Sequence, residues 1–262
     1  MAARDSRQAQ LELSPAGGPR GPRGPRGGRR PGAGRKPRPE NLRRPLVQHR
    51  RRPAHQSRHP VHVTLRAARG LLSLRHERIQ KLLERILDET RCATRQVVHY
   101  CIQRDHVHVI LEADDKDHLS ALVRRVVIRF AVRLNKLLGR KNGKVWGDRY
   151  HRRDLLTPRE VRNALAYIFT NARKHGETDF AVTVGLDRLS SAPAFDRWFG
   201  LPRALRTFLA GSRPPWPPPR PGTWLLRTGW WKSHGPLIFG MRPTRPSHAA
   251  TSHAATSYGI SN

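Results

Sequence analysis

The sequence predicts an α+β fold of the ferredoxin-like split βαβ type, with two helices on one face of an antiparallel sheet and the other face open. Two observations predict it. Between residues 59 and 156, apolar runs of strand period and helix period follow one another in the order β-α-β-β-α-β. A third helical pattern follows at once, over residues 157–174, and has its own start and stop signals.

Four segments have the composition of strands. Residues 59–66 (HPVHVTLR) predict the first strand, and residues 94–103 are rich in β-branched and aromatic side chains and predict the second. A turn at Arg104-Asp105 leads into the third strand, residues 106–112. We expect the fourth strand within residues 144–156.

Three segments have helical periodicity. Residues 74–90 and 117–138 each place apolar side chains on one stripe, which indicates helices packed on the sheet. The helix of residues 157–174 begins with Thr157 and Glu160, the Thr-x-x-Glu pattern of a capping box, and ends before His175-Gly176.

Charge indicates the class of partner. The chain of 262 residues has 51 Lys and Arg against 19 Asp and Glu, a formal net charge of +32. So large an imbalance favours a polyanionic partner, of which nucleic acid is the commonest. Cys92 and Cys101 do not make a disulfide framework and fit a reducing cytoplasm. We expect no membrane association, since no apolar run has the roughly 18 residues of a membrane span.

Composition divides the chain into three parts. Residues 1–57, rich in Pro, Gly and Arg, predict a disordered basic tail. Two interpretations of this tail stay open, nonspecific binding of phosphates and a translated upstream region without function. Residues 58–178 predict the folded domain. Residues 179–262 predict a C-terminal extension, in which residues 214–222 (PPWPPPRPG) form a proline-rich linker and the last twenty residues are disordered.

Two histidines of the third strand stand out as candidate metal ligands. Strand side chains alternate between faces, so His106 and His108 point the same way while Val107 points into the core. Two neighbouring imidazoles form half of a divalent-metal site. The pattern by itself is a weak signal, because paired strand histidines are also common as structural residues.

Tyr167 is the candidate nucleophile. At ~100° per residue, the apolar stripe of the third helix includes Leu165 and Ile168, whereas Tyr167 and Asn171 share a separate ridge. A tyrosine next to a metal could attack a phosphodiester and hold the strand end covalently. Tyr150, beside the fourth strand, is the rival nucleophile.

The motifs resemble those of REP-associated tyrosine transposases, relatives of the one-tyrosine HUH transposases of insertion sequences. The resemblance covers residues 59–176 and rests on QVVHYCIQRDHVHVILEA, VWGDRYH and TPREVRNALAYIFTNARKHG. The last segment is similar to the family pattern Tyr-Ile-x-x-Asn-Pro-x-x-x-Gly, with Ala172 in place of the proline.

The resemblance implies a transposase that acts on single-stranded, hairpin-bearing DNA in the bacterial cytoplasm, associated with the nucleoid, as a monomer or homodimer. It implies that Tyr167 is catalytic and attacks to give a 5′-phosphotyrosine and a free 3′-OH. It also implies that His106, His108 and Asn171 hold Mg²⁺ or Mn²⁺.

Substrate binding is expected from basic and aromatic side chains. Basic residues neutralise phosphates, and aromatic rings stack on unpaired bases. The candidate DNA-binding residues are Arg125, Arg129, Arg133, Trp146, Arg149 and Lys174.

Two alternatives remain open at this stage. A ferredoxin-like sheet with a basic surface is also the architecture of non-catalytic nucleic-acid-binding modules, although those usually have aromatic residues where His106 and His108 lie here. The chain could also be a decayed transposase, as Ala172 and the Arg- and Pro-rich extensions would suit. His62 and His99 are expected to be core or partner-facing residues and not ligands.

Overall fold

The computed structural model of the protein describes residues 52–174, 186–205, 207 and 216–241. Its helices and strands are β1 (Val61–Arg66), α1 (Glu77–Thr90), β2 (Arg95–Ile102), β3 (His106–Ala113), α2 (Lys116–Leu137), β4 (His151–Asp154), α3 (Pro158–Lys174), β5 (Trp198–Phe199), α4 (Trp230–His234) and β6 (Leu237–Ile238). A 3₁₀ turn covers Ala192–Ala194, and a π-helical turn over Leu225–Gly229 leads into α4. The seven elements predicted from the sequence are all confirmed.

The main sheet has the strand order β2-β3-β1-β4, and all neighbouring strands in it are antiparallel. With α1 and α2 as the two connections, this is the predicted ferredoxin-like arrangement. The first helix begins later than its apolar pattern suggests, at Glu77, because the side chain of His76 caps it by accepting from the backbone N–H of Arg78.

One face of the sheet packs against α1 and α2. The alternating apolar residues of β1 and β3, such as Val63 and Val109, form this core together with the stripes of the two helices. Phe130 and Leu134 of α2 are fully buried in it. The predicted periodicities therefore describe this layer correctly.

The second face of the sheet is not open, contrary to the expectation from the sequence. Helix α3 packs on it through residues such as Val161 and Leu165, in one cluster with Ile110 of β3. Side chains of the C-terminal extension join the same cluster, and Trp230 is only 1% exposed there. A helix presenting a wide apolar stripe needs a surface to cover, and this face supplies it.

The C-terminal extension is attached by polar contacts as well as by its core. Asp187 forms a buried bidentate ion pair with Arg75. Glu112 of β3 accepts hydrogen bonds from the backbone N–H groups of Gly222 and Thr223. The part of the proline-rich segment that the structure describes lies on the domain, since Trp216 is buried and donates to Asp88.

The ends of the chain are described only in part. Of the tail predicted over residues 1–57, residues 1–51 lie outside the described residues, and so do residues 242–262. Arg52 donates to the carbonyl oxygen of Tyr150, and His55 is hydrogen bonded to the carbonyl oxygen of Ala113, so residues 52–57 contact the domain. Among the helices that the structure describes, none is both long and apolar enough to cross a membrane.

Candidate active site

The two histidines of β3 lie side by side on the second face of the sheet. Their ring centroids are 4.6 Å apart, and the rings are nearly perpendicular. Exposure is 7% for His106 and 4% for His108, so both imidazoles are held within the protein. Alternation along β3, with Val107 in the opposite layer, produces this placement as the sequence predicts.

Each of these histidines is oriented through its Nδ1 atom. His106 Nδ1 lies 2.6 Å from Oδ1 of Asp105. His108 Nδ1 lies 3.1 Å from both His62 Nε2 and Thr64 Oγ1. Because Nδ1 of each histidine is hydrogen bonded, Nε2 is the nitrogen that can bind a ligand. Metal-binding histidines typically have such a hydrogen-bond partner on the nitrogen that does not bind the metal.

Helix α3 brings Tyr167 to this pair. The capping box that starts the helix is formed as predicted, with the Glu160 N–H donating to Thr157 Oγ1 and the Thr157 N–H donating to the Glu160 carboxylate. Two and a half turns later, the Tyr167 ring lies 5.2 Å from the ring of His108 and 6.2 Å from that of His62. The predicted proximity of Tyr167 to the histidines is thus present in the structure.

The phenol of Tyr167 is half-buried, and its surroundings act on it in opposite directions. Desolvation raises the pKa of Tyr167 above its usual value, and the Cys101 thiol adds to the rise. An interaction with the Asn171 amide and the positive charge of Arg66 lower the pKa of the phenol. The phenol of Tyr167 is therefore neutral in the resting protein, and the guanidinium of Arg66 acts on it electrostatically.

Asn171 is fully buried one turn after Tyr167. Neither Oδ1 nor Nδ2 of its amide has a hydrogen-bond partner in the part of the chain that the structure describes, although the amide is close enough to the phenol to lower the pKa of Tyr167. A buried amide without partners costs about 1–3 kcal/mol, and such groups in folded proteins usually have a functional reason.

Strands β1 and β4 add site residues that the sequence analysis missed. Side chains of directly paired residues on neighbouring strands point to the same face of a sheet. His62, Thr64 and Arg66 of β1 therefore lie on the face that bears the two histidines of β3. His151 of β4 pairs with Thr64, and Arg153 pairs with His62, so both lie on this face as well. Alternation along HPVHVTLR could have identified the three residues of β1. The register of β4, a strand of four residues, had no such signal.

His62 in particular is part of the site, although the sequence analysis kept it apart. Desolvation, together with the nearby His151, Arg153 and His106, lowers the pKa of His62 to about 4. At neutral pH its imidazole is therefore uncharged, and its Nε2 can accept a hydrogen bond from His108.

Tyr150, the rival nucleophile, is not brought to the histidines. Its ring packs against the core between the sheet and helices α1 and α2, on the other side of the sheet from Tyr167. The guanidinium of Arg52 stacks on it at 3.7 Å from the ring centroid. This position suits a structural residue.

Most of the predicted DNA-binding residues lie away from this site. Arg129 and Arg133 belong to α2 on the opposite layer, and both pair with Glu89 of α1. Trp146 packs on Phe130 and donates to the carbonyl oxygen of Val127. Of the others, Arg125 is exposed on α2, Arg149 is half-buried before β4, and the side chain of Lys174 lies outside what the structure describes.

The donor set suits a divalent cation of the expected kind. Two imidazole Nε2 atoms and one amide oxygen are ligands that Mn²⁺ accepts and Mg²⁺ tolerates. The orphaned amide of Asn171 is consistent with a ligand position. Within the described ranges, no group of three or more His, Cys, Asp or Glu side chains is arranged to hold a metal ion, so a metal here needs the amide.

Comparisons with known proteins bear on the same part of the chain. The family model described as IS200-like transposase matches residues 56–171. A solved structure of a REP-associated tyrosine transposase bound to a REP hairpin is 18% identical with a TM-score of 0.42, and the match covers 50% of this chain and 76% of that one. No curated protein gives a significant match.

Proposed function

We propose that this protein is a DNA strand transferase with Tyr167 as its nucleophile, since the IS200-like transposase family model matches residues 56–171. The observation that carries the proposal is the position of Tyr167, whose ring lies 5.2 Å from that of His108 on the face of the sheet that bears His106 and His108. The match of residues 56–171 also supports, at the level of this family, the resemblance of the motifs.

The proposed reaction exchanges one phosphodiester for another. Tyr167 Oη attacks the phosphorus in line, the bond from phosphorus to O3′ breaks, and the phenol proton ends on O3′. The products are a 5′-phosphotyrosine and a free 3′-OH. A 3′-OH from the same or another strand reverses the attack, so the number of phosphodiester bonds is conserved and no nucleotide hydrolysis is needed.

Chain residues prepare this exchange. Helix α3, held by the apolar cluster and by its capping box, fixes the Tyr167 ring against His108 and His62. Arg66 pairs with His106 across the strands and acts electrostatically on Tyr167, so it is placed to neutralise a phosphate oxygen that gains charge. We assign Arg66 this role in place of the arginines of α2.

His106, His108 and Asn171 would hold Mg²⁺ or Mn²⁺, which when bound would stabilise negative charge on the phosphate oxygens. Asp105, His62 and Thr64 keep the two imidazoles in place through their Nδ1 atoms. This assignment rests on the donor chemistry and on the orphaned amide.

The proposed substrate is single-stranded DNA that carries a small hairpin, as the resemblance of the motifs implies. An unpaired strand fits a site on a sheet face, where the scissile phosphate must approach both Tyr167 and Arg66. We propose that the protein acts in the bacterial cytoplasm, at the nucleoid, as a monomer or homodimer.

Trapping the covalent intermediate tests the proposal. Labelled hairpin oligonucleotides are incubated with the protein and Mn²⁺, with and without EDTA, and the adduct is located by peptide mass spectrometry. We expect a 5′-phosphate adduct on Tyr167 that Tyr167→Phe abolishes, since this change removes only the hydroxyl. Tyr150→Phe is the matched control, because Tyr150 lies on the other side of the sheet, and it should leave the adduct in place.

Three results would contradict parts of the proposal. An adduct on Tyr150 would overturn the assignment of the nucleophile. Equal cleavage in EDTA would remove the metal. DNA binding without cleavage of any hairpin substrate would favour the non-catalytic binding module.

A further inference from the structure

A second candidate site lies in the C-terminal extension, away from Tyr167. A cavity of about 560 Å³ opens between the turn around Phe195, the prolines of residues 217–221 and the helical segment that contains Arg227 and Trp230. This volume is in the range of ~300–1,000 Å³ that is typical of small-ligand sites. The reaction proposed above makes no use of it.

The rim of this cavity is cationic. Arg197, Arg220 and Arg227 line it, and Asp196 is the acidic residue among its lining. Arg197 lies at the limit of ion pairing with Asp196, at 4.0 Å, and its guanidinium also lies 5.2 Å from the Trp231 ring. Three exposed guanidinium groups at one opening favour an anionic ligand, and arginine is well suited to phosphate.

The floor of the cavity is a buried histidine, His99, which is 4% exposed. Its Nδ1 lies 3.2 Å from Ser191 Oγ, which donates its own proton to the carbonyl oxygen of Tyr100 and accepts from the Tyr100 N–H. Since Ser191 gives its one hydroxyl proton to Tyr100, His99 Nδ1 is the donor in the hydrogen bond between His99 and Ser191. In a neutral imidazole the other nitrogen, Nε2, is then the acceptor, and because Nδ1 is engaged by Ser191 it is the nitrogen left for a ligand.

The ring of His99 is fixed and uncharged. Phe169 and Phe195 contact it edge-on, with centroids at 5.2 and 5.7 Å. Desolvation lowers the pKa of His99 to about 3, so the ring is neutral at physiological pH. The cavity therefore combines one oriented acceptor at its floor with apolar proline and aromatic walls and a cationic rim.

We propose that this cavity binds one nucleotide of a single DNA strand, with its phosphate at the arginines and the pairing edge of its base at His99. Each of the four bases has an N–H group on its pairing edge, and that group is free to meet His99 Nε2 only when the base is unpaired. Proline and aromatic walls accept the flat faces of a base without sequence preference. The inference rests on the proposed function in taking DNA as the ligand.

The nucleotide in this cavity is not the one that reacts. Phe169 faces His99, whereas Tyr167 faces His108, and two residues correspond to about 200° around a helix. Helix α3 thus separates the cavity from the histidine pair. We assign the cavity to a nucleotide that flanks the cleaved bond, which makes it a recognition site on the C-terminal extension.

Two kinds of variant test the cavity. Arg197→Ala with Arg227→Ala removes rim charge, and Ala194→Trp fills the space without changing charge, because Ala194 is one of the lining residues. The control is Arg78→Ala with Arg124→Ala, which removes the same charge from exposed positions on α1 and α2. Affinity for a single-stranded 12-mer and for its duplex is measured by fluorescence anisotropy over a range of salt concentrations.

We expect the rim variant to lose about tenfold more single-strand affinity than the control and to flatten the salt dependence by ~0.7 per lost phosphate contact. Ala194→Trp should lower single-strand affinity and leave duplex affinity unchanged. Single-strand affinity equal to that of the control in both variants would overturn the proposal. Thermal unfolding identifies a variant that fails to fold, and the remaining cavity variant then decides.

The outcome is separable from that of the proposed function. If wild-type protein forms no adduct on Tyr167 but both cavity variants lose single-strand affinity, the nucleotide site stands and strand transfer does not. If the adduct forms and the cavity variants bind like the control, only the nucleotide site is excluded.

Discussion

At the scale of residues, the two site histidines differ in what orients them. His106 has a carboxylate partner, Asp105, whereas His108 has two neutral partners, His62 and Thr64. A histidine that must present Nε2 to a ligand needs an acceptor at Nδ1. His62 can serve only while it is uncharged, and its desolvated position keeps it so at neutral pH.

Substitution of His62 should therefore affect metal binding. We expect His62→Leu to weaken Mn²⁺ binding about 10–100-fold, because loss of an outer partner of a ligating histidine costs that much. His62→Gln should retain more affinity, since its amide oxygen can accept from His108 Nδ1. Binding is measured without DNA by the electron paramagnetic resonance signal of free Mn²⁺.

The control for this measurement is His118→Leu, which replaces a partly exposed histidine at the start of α2 that contacts Asp115. Mn²⁺ affinities that are the same in His62→Leu, His118→Leu and wild type would show that His62 has no part in orienting His108.

At the scale of elements, α3 depends on a segment that comes later in the chain. Its apolar side packs on β2 and β3 and also on the π-helical turn and α4, where Leu226 and Trp230 are buried. Arg162 of α3 donates to the carbonyl oxygens of Gly235 and Pro236, which closes the contact. The extension is therefore part of what holds Tyr167 in place.

The adjacent tryptophans of α4 provide a matched test of this dependence. Trp230 is 1% exposed and Trp231 is 37% exposed. Trp230→Ala should lower the free energy of unfolding by about 3–5 kcal/mol, the usual cost of removing a buried aromatic side chain. Trp231→Ala should cost much less. The comparison is made by urea denaturation, and similar losses for the two variants would mean that the extension does not stabilise the domain.

At the scale of the whole molecule, buried neutral histidines make stability depend on pH. His62 and His99 have pKa values lowered from 6.5 to about 4 and about 3, in both cases first by desolvation. Below pH 6.5 the unfolded chain binds a proton at each position that the folded chain does not bind. The free energy of unfolding should then fall as the pH falls from 7 to 5, by up to about 1.4 kcal/mol per pH unit for each histidine.

Urea denaturation at pH 7, 6 and 5 measures this slope. His99→Gln should reduce the slope of the free energy of unfolding against pH by the contribution of up to one proton. His62→Gln should reduce this slope by less, because His62 is only half-buried. The chosen range lies above the ordinary pKa of the carboxylates whose pKa values are lowered, such as Glu89 and Glu160, which contribute stability that is lost at lower pH. Parallel curves for wild type and both variants would contradict the expectation.

Much of this protein could be derived from sequence periodicity, because that signal is local. Alternation along β3 determined that His106 and His108 share a face, and the capping box at Thr157 and Glu160 determined where α3 begins. Helical spacing determined that Tyr167 and Asn171 lie on one ridge. The order of the elements predicted the ferredoxin-like sheet, which the strand order confirms.

Tertiary structure alone decided which surfaces meet. Periodicity indicates that a helix has a covered side but not what covers it, so the sequence left Arg129 and Arg133 as free phosphate ligands, whereas the packing of α2 on α1 pairs them with Glu89. In the same way only the fold places His62 against His108 and Trp230 against α3. These contacts join residues far apart in the chain, and their energies depend on packing that no local pattern encodes.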